Sequence, residues 1–240
     1  MQAIPVTATT RRWTGGGRAR RFAPRSVVAL SLLIITFSLT GCLSSGYHYI
    51  SHRDADGTLL GFKIPANWAT FDTRQVLEAA NGPISNSESA AIANGQWMTV
   101  FSAAPHPSAS FFSLEEKSNY PVGIVSVRPL TVSERDGFNY SSMRAELLGT
   151  DPLAAASPDP YNVTAYTEFL GADGLKGSKL TTNIKLASGA TATLSQIVEV
   201  DPNSNWVIAV GIGCKASCWG PNAGIIKQVL NSWALKEIKT

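Results

Sequence analysis

The sequence predicts an α+β fold, an antiparallel β-sheet flanked by helices in an α/β/α sandwich, and three observations predict it. Four strand-like segments follow one another through the last third of the chain, joined by turns too short for a parallel crossover. The last of them, NWVIAVGIGC (205–214), is apolar on both sides, as a strand covered on both faces must be. After the last strand a helical stripe over residues 221–237 predicts a closing helix that packs on the sheet.

The chain of 240 residues opens on a stretch unlike the rest. Residues 1–25 hold six arginines (Arg11, Arg12, Arg18, Arg20, Arg21, Arg25) and no acid, and SVVALSLLIITFSL, 14 residues, follows. A cationic region before an apolar one is the layout of an export signal. The apolar run is shorter than the ~20 residues a helix needs to cross a bilayer, so a cleaved leader is expected rather than a signal anchor. Its end, Leu39-Thr40-Gly41-Cys42, resembles the lipobox of bacterial lipoproteins. That resemblance implies that the Cys42 thiol is diacylglycerylated and that Cys42 becomes the first residue. Residues 1–41 are then the signal peptide and 42–46 the lipid-bearing cysteine with a short tether. The alternative is a leader cleaved elsewhere, with an incidental cysteine. Two acyl chains would hold the protein stably, since one alone binds marginally. The implied location is the extracytoplasmic face of the cell membrane, with the membrane itself a partner through the lipid. The arginine pairs in TRRWT and ARRFA fit twin-arginine export, but neither directly precedes the apolar run, which favours the general secretory route. The long arginine-rich leader resembles those of actinobacterial lipoproteins.

Loss of the leader takes six of 20 basic residues, leaving 14 against 17 acids. A mature chain of −3 lacks the basic footprint of a nucleic-acid binder. Its 199 residues suit one domain, residues 47–240.

Residues 47–68 predict two strands about a tight turn at Asp56-Gly57. FDTRQVLEAANG (71–82) predicts a short helix with Asp72 or Thr73 as cap, Val76, Leu77 and Ala80 on one face, and Asn81-Gly82 as stop. A polar stretch follows, with a helical turn at 87–93, and then QWMTVFSAA (96–104) as a buried strand. Residues 105–121 form a long loop carrying His106, Phe111 and Phe112; loops of this length are often functional. VGIVSVRPL (122–130) is a strand by its β-branched content. Residues 131–149 predict one capped helix with Phe138, Met143, Leu147 and Leu148 inward, and 150–161 are proline-rich and irregular.

The four strands of the meander are 162–170, 179–189, 190–201 and 205–214. In the third, Ala192, Leu194, Val198 and Val200 alternate with Thr193, Ser195 and Glu199, so one buried face is expected. PNAGIIKQVLNSWALKE (221–237) predicts a closing helix with Ile225, Ile226, Val229, Leu230 and Trp233 on one stripe. Cys214 and Cys218 are an even pair in an exported chain and are expected to form a disulfide pinning a local turn. The alternative is a redox or metal role for C-x3-C, but no strand is expected to follow the pair as such a site would require.

The opening FKIPANW, the antiparallel meander, and the cysteine-flanked entry into a helix ending NSWALKE together resemble the PsbP-like fold, and the layout is similar to actinobacterial lipoproteins of the LpqN type. The likeness spans residues 47–238 and implies helices on both sides of one antiparallel sheet. It carries over no ligand residues.

No G-x-S-x-G elbow, S-x-x-K pair, H-E-x-x-H helix or phosphate-binding glycine loop occurs. His48 and His52 lie on a strand, ~13 Å apart at about 3.3 Å per residue, too far to share a metal. His106 has no visible partner, and Glu115, Glu116, Glu134 and Asp136 suit solvated faces. No catalytic residue, metal or cofactor is therefore expected. Trp68, Trp206 and Trp233 are assigned to the core. Phe111, Phe112 and Trp219 are the possible interface residues, with packing of Trp219 over the disulfide as the blander alternative. The reading is a non-catalytic binding or assembly module meeting an envelope protein, lipid or small molecule. Its competitors are a redox or metal-handling protein built on Cys214 and Cys218, and a carrier with a pocket between sheet and helix.

Overall fold

A computed structural model describes residues 46–53, 58–109, 119–155, 160–171 and 174–237. The first described elements are β1 (Tyr47–Arg53) and β2 (Thr58–Pro65), paired antiparallel from Tyr47↔Pro65 to Arg53↔Leu59. Residues 54–57, where a turn is expected, lie outside the described residues. There follow β3 (Ala69–Asp72), α1 (Thr73–Asn81), α2 (Asn86–Ala93), β4 (Trp97–Ser102), β5 (Val122–Pro129), α3 (Val132–Arg135) and α4 (Tyr140–Ala145). The last third holds β6 (Tyr161–Leu170), β7 (Lys176–Lys185), β8 (Thr191–Val200), β9 (Trp206–Lys215), α5 (Ala216–Asn231) and β10 (Ala234–Glu237).

These strands make two antiparallel sheets, one of three strands ordered β1-β2-β10 and one of seven ordered β3-β4-β5-β9-β8-β7-β6. The α+β class with helices flanking antiparallel sheet is therefore found. The meander β6 to β9 pairs consecutively, as short turns require, with Gly189 at φ +81 supplying the left-handed residue between β7 and β8.

Residue parity decides the layers. On β9, Ile208, Val210 and Ile212 face one way with Val125, Val127, Phe101 and Ile197, and against them pack Leu60, Phe62 and Ile64 of β2 and Ile226 and Val229 of α5. Val207 and Ala209 face the other way with Val198 and Val200, covered by Met143 of α4 and by Leu130. Further along that second face, Val76 of α1 covers Val100 and Val122. Each such apolar side chain, fully buried, contributes about 1.5–3 kcal/mol, and β9 is buried on both faces because helices lie on one side and α5 with the small sheet on the other. At two crossings an aromatic ring lies over a cross-strand glycine. A Cβ on Gly123 would come 2.3 Å from the Phe101 ring, and one on Gly177 2.3 Å from Phe169.

Several expectations are corrected. Residues 131–149 are not one helix. Thr131 caps α3 by a reciprocal box with Glu134, and Asn139 caps α4 with Ser142, so a second N-cap within the segment starts a second helix. β3 was not expected. Its four residues pair with β4 from Ala69↔Ser102 to Asp72↔Thr99 before Asp72 caps α1. β8 is not half buried, since Thr193 and Glu199 are each 6 % exposed. The closing helix starts five residues earlier than expected, with Cys218 in its first turn and Pro221 inside it, and it stops at Asn231. There the Ser232 hydroxyl donates to the Val229 carbonyl (2.6 Å) and accepts from the Lys63 N–H (3.0 Å), so the chain turns and β10 joins β2. A strand thus follows the cysteine pair after all.

Two arginine forks fix the helical layer. Arg128 of β5 binds both Glu146 oxygens (2.8 Å each) and Glu134 (3.0 Å). Arg144 of α4 binds both Asp151 oxygens (2.7 Å each) and the Tyr166 hydroxyl (2.8 Å), tying the 150s segment to β6. Bidentate pairs of this kind constrain geometry as well as charge.

Candidate functional site

α5 covers β8 and β9 but not β7 and β6, whose same-side residues Lys179, Thr167 and Ala165 are exposed. The result is a groove along the helix, made of two adjoining hollows of about 300 and 230 Å³ that share Lys179, Ile197, Leu230 and Asn231. The first is walled by Phe169, Leu175, Trp233, Leu235 and Glu199, and the second by Thr181, Ser195, Trp219, Ala223 and Lys227.

Glu199 is the unusual group. Its carboxylate sits on the α5 side of β8 opposite Gly177, 6 % exposed, and Oε1 accepts a hydrogen bond from the Trp233 indole N–H (2.8 Å). Burial raises its pKa, opposed by the Trp233 bond and by the Lys179 charge. Lys179 lies with its ammonium 5.5 Å from the centroid of the Phe169 ring, a cation–π geometry. Phe169 reaches this position because Gly177 beneath it has no side chain. One wall is therefore aromatic and aliphatic, with a carboxyl, an ammonium and the Asn231 amide at its edge, a set suited to orienting a bound molecule.

Cys214 and Cys218 are joined by a disulfide with Cα atoms 5.9 Å apart, linking the end of β9 to the first turn of α5. They are 0 % and 5 % exposed. Thiol–disulfide exchange needs an accessible sulfur, and this bond is covered. Trp219 lies in α5, not in a turn; it is half-buried against the main core and lines the groove. Cys42, Phe111, Phe112, Glu115 and Glu116 lie outside the described residues. His48 and His106 are exposed, and His52 stacks on Trp97 with ring centroids 4.4 Å apart, where burial lowers its pKa. Glu134 is engaged with Thr131 and Arg128. Among the described residues no three metal-ligating side chains cluster, and no helix is long and apolar enough to cross a membrane.

The groove brings together Glu199, Lys179, Phe169 and Trp233, which sequence reasoning did not join. The available signal was β9: a strand apolar on both sides implies covered neighbours, so the polar side of β8 lies under a layer too.

No protein-family model matches the chain, and no curated protein matches it. Among solved structures, the chain is similar to LpqN of Mycobacterium tuberculosis, described as involved in cell envelope biogenesis, at a TM-score of 0.41 and 11 % identity over 79 % of this chain and 91 % of that one. It is similar to the cyanobacterial PsbP of Synechocystis at 0.40 and 11 %, over 82 % and 96 %. A third likeness is to the Saccharomyces cerevisiae Ran-binding protein Mog1p, at 0.38 and 7 %, over 78 % and 95 %.

Proposed function

We propose that the protein is a lipid-anchored, non-catalytic binding module of the cell envelope, held by Cys42 at the extracytoplasmic face of the membrane, and that the groove beside α5 receives its ligand or partner segment. The observation that carries the reading is the groove itself: a wall running from Trp219 to Trp233, with Glu199, Lys179 and Asn231 placed along it. Such a mixture of apolar wall and few convergent polar groups is what binding sites use. The leader and its Leu-Thr-Gly-Cys end support the anchor.

Two measurements test the two halves. Cys42→Ala should abolish labelling by radioactive palmitate and leave the leader uncleaved; unchanged labelling removes the anchor. A photoreactive benzophenone residue placed at Lys227, on the groove rim, should give adducts in intact membranes that disappear when Ser195→Trp fills the hollow. The same residue at Arg74 on α1 serves as the control, and identical adducts from both positions would remove the groove.

A further inference from the structure

Among the described residues, no layer covers the outer face of the three-stranded sheet. Parity sends Leu60, Phe62 and Ile64 inward, leaving Tyr49 paired with Lys63, and Ser51 with Gly61, on the outside, and Ala234 of β10 lies beside Gly61. The three small residues leave a trough of about 580 Å³, bordered by Tyr49 and Lys63 and, at the end of α5, by Gln228, Asn231 and Ser232. Tyr49 is 76 % exposed. The Lys63 ammonium stands 4.9 Å from the centroid of the Tyr47 ring, and the Tyr47 hydroxyl donates to Gln228. The described residues of β1 and β2 include Arg53 and Lys63 and no acid, although the chain after Cys42 is net acidic.

We propose that this face rests on the membrane and binds anionic phospholipid headgroups, with Lys63 toward phosphate and Tyr47 and Tyr49 at the headgroup level. The inference rests on the Cys42 anchor proposed above. Four residues lie between Cys42 and Tyr47, and the five residue-to-residue steps, at about 3.3–3.6 Å each, hold the start of β1 within ~18 Å of the lipid surface. The hairpin is thus the part of the domain nearest the bilayer. Attraction between its cations and an anionic surface acts over about a Debye length of ~8–10 Å, inside the reach of that tether. Tyrosine with a neighbouring lysine is the pairing that suits a boundary apolar on one side and wet on the other. Asp54 and Asp56 follow Arg53 in the sequence, so Lys63, with no acid near it in sequence, supplies the cation of this face.

The test uses the chain from residue 42 with Cys42→Ser, which carries no acyl group, and vesicles of equal parts phosphatidylglycerol and phosphatidylcholine. Co-sedimentation is expected at low salt, with loss at 0.5 M salt, where the Debye length shrinks to ~4 Å, and with none on pure phosphatidylcholine. Lys63→Glu should lower retention about fivefold or more, Tyr49→Ala should lower it too, and Lys185→Glu on β7 should not. Circular dichroism of each variant guards against misfolding. Because the protein is unacylated, failure of the anchor leaves this result unaffected, and palmitate labelling of the wild type reads the anchor separately. Equal retention on both vesicle types, or wild-type retention by Lys63→Glu, overturns the proposal. So does self-association that the same variants abolish without any vesicle binding, which would assign the face to a second copy of the chain.

Discussion

Replacing Asp151 with alanine removes the carboxylate that holds Arg144. Asp151 is 8 % exposed and accepts four hydrogen bonds, from Arg144 Nε and Nη2 (2.7 Å each), Ser141 Oγ (2.6 Å) and the Leu153 N–H (2.9 Å). Arg144, its side chain 14 % exposed, would keep the Tyr166 hydroxyl and ring, the latter 5.0 Å from its guanidinium carbon, and the half-exposed Glu168 carboxylate at 4.0 Å. Removing one partner of a buried pair costs about 3–5 kcal/mol because a charge is left uncompensated. The surviving Tyr166 and Glu168 contacts place this case at the low end, about 3 kcal/mol. For a chain of this size, at ~2–4 °C per kcal/mol, the melting temperature should fall by roughly 6–12 °C in calorimetry. The double variant Asp151→Leu with Arg144→Met leaves no orphan charge and should recover most of the loss. The Arg144 hydrogen bonds, with those from Ser141 and Leu153, hold the Asp151 carboxyl well below the usual carboxylate range. Its contribution is therefore complete above the unfolded value of about 3.9 and disappears as pH falls below it toward the lower native value. The deficit of Asp151→Ala should accordingly be constant between neutral and mildly acidic pH and shrink below about pH 4. A single-variant loss under ~1 kcal/mol, or a double variant as unstable as the two singles added, would refute the argument that the pair is desolvated.

Two further outcomes follow from the groove and the bond beside it. Changing both Cys214 and Cys218 to alanine opens a five-residue loop and should cost about 2 kcal/mol by the chain-entropy estimate, a melting decrease of a few degrees; ready cycling of the wild-type pair by mild reductants would instead make the bond reactive. Glu199→Gln keeps an acceptor for Trp233 and removes the ionisable group. Since burial raises the Glu199 pKa, ionising it destabilises the native state above the native value, while below the unfolded value of about 4.3 both states are protonated. The variant should be the more stable protein at pH 7–8 and indistinguishable from wild type at pH 4 in urea titrations, and a gap of the same size at both would contradict the assignment.

The meander was legible because its signals are local. Gly189 and the Asp201-Pro202-Asn203 turn lie between runs of alternating residues, and short turns leave only antiparallel neighbours. The break between α3 and α4 was also written locally, in Thr131 and Asn139 as two cap residues, but the apolar spacing of Phe138, Met143 and Leu147 imitates a continuous helix. The start of α5 was obscured by Pro221, which sequence convention takes for a first-turn residue and which here stands one turn further in. β10 was hidden because Trp233 falls on the same helical stripe as Val229 and Leu230 and so carries the helical pattern past Asn231; the contact that ends the helix, Ser232 on Lys63, joins residues 169 apart. The groove was illegible for the same reason. Glu199 is polar in pattern and buried in fact, and only the long-range placement of α5 over β8 makes it so. Phe169, conversely, is held in the groove by the absence of a side chain at Gly177, a relation between two strands that neither strand announces alone.

The pairing of β10 with β2 sets an order of events during synthesis. β2 can join β1 as soon as residue 65 emerges, but its other edge stays open until residue 237 has appeared, and its inward side chains Leu60, Phe62 and Ile64 lack Ile226 and Val229 until α5 arrives. A contact spanning nearly the whole chain is entropically the slowest to close. The β1–β2 hairpin, synthesised before the other strands, is thus the last to be completed, and for that interval an apolar strand edge is presented to whatever lies beside it. A chain truncated before residue 234 would keep the strands of the seven-stranded sheet and remain permanently in that open-edged state, with β2 paired on one side alone.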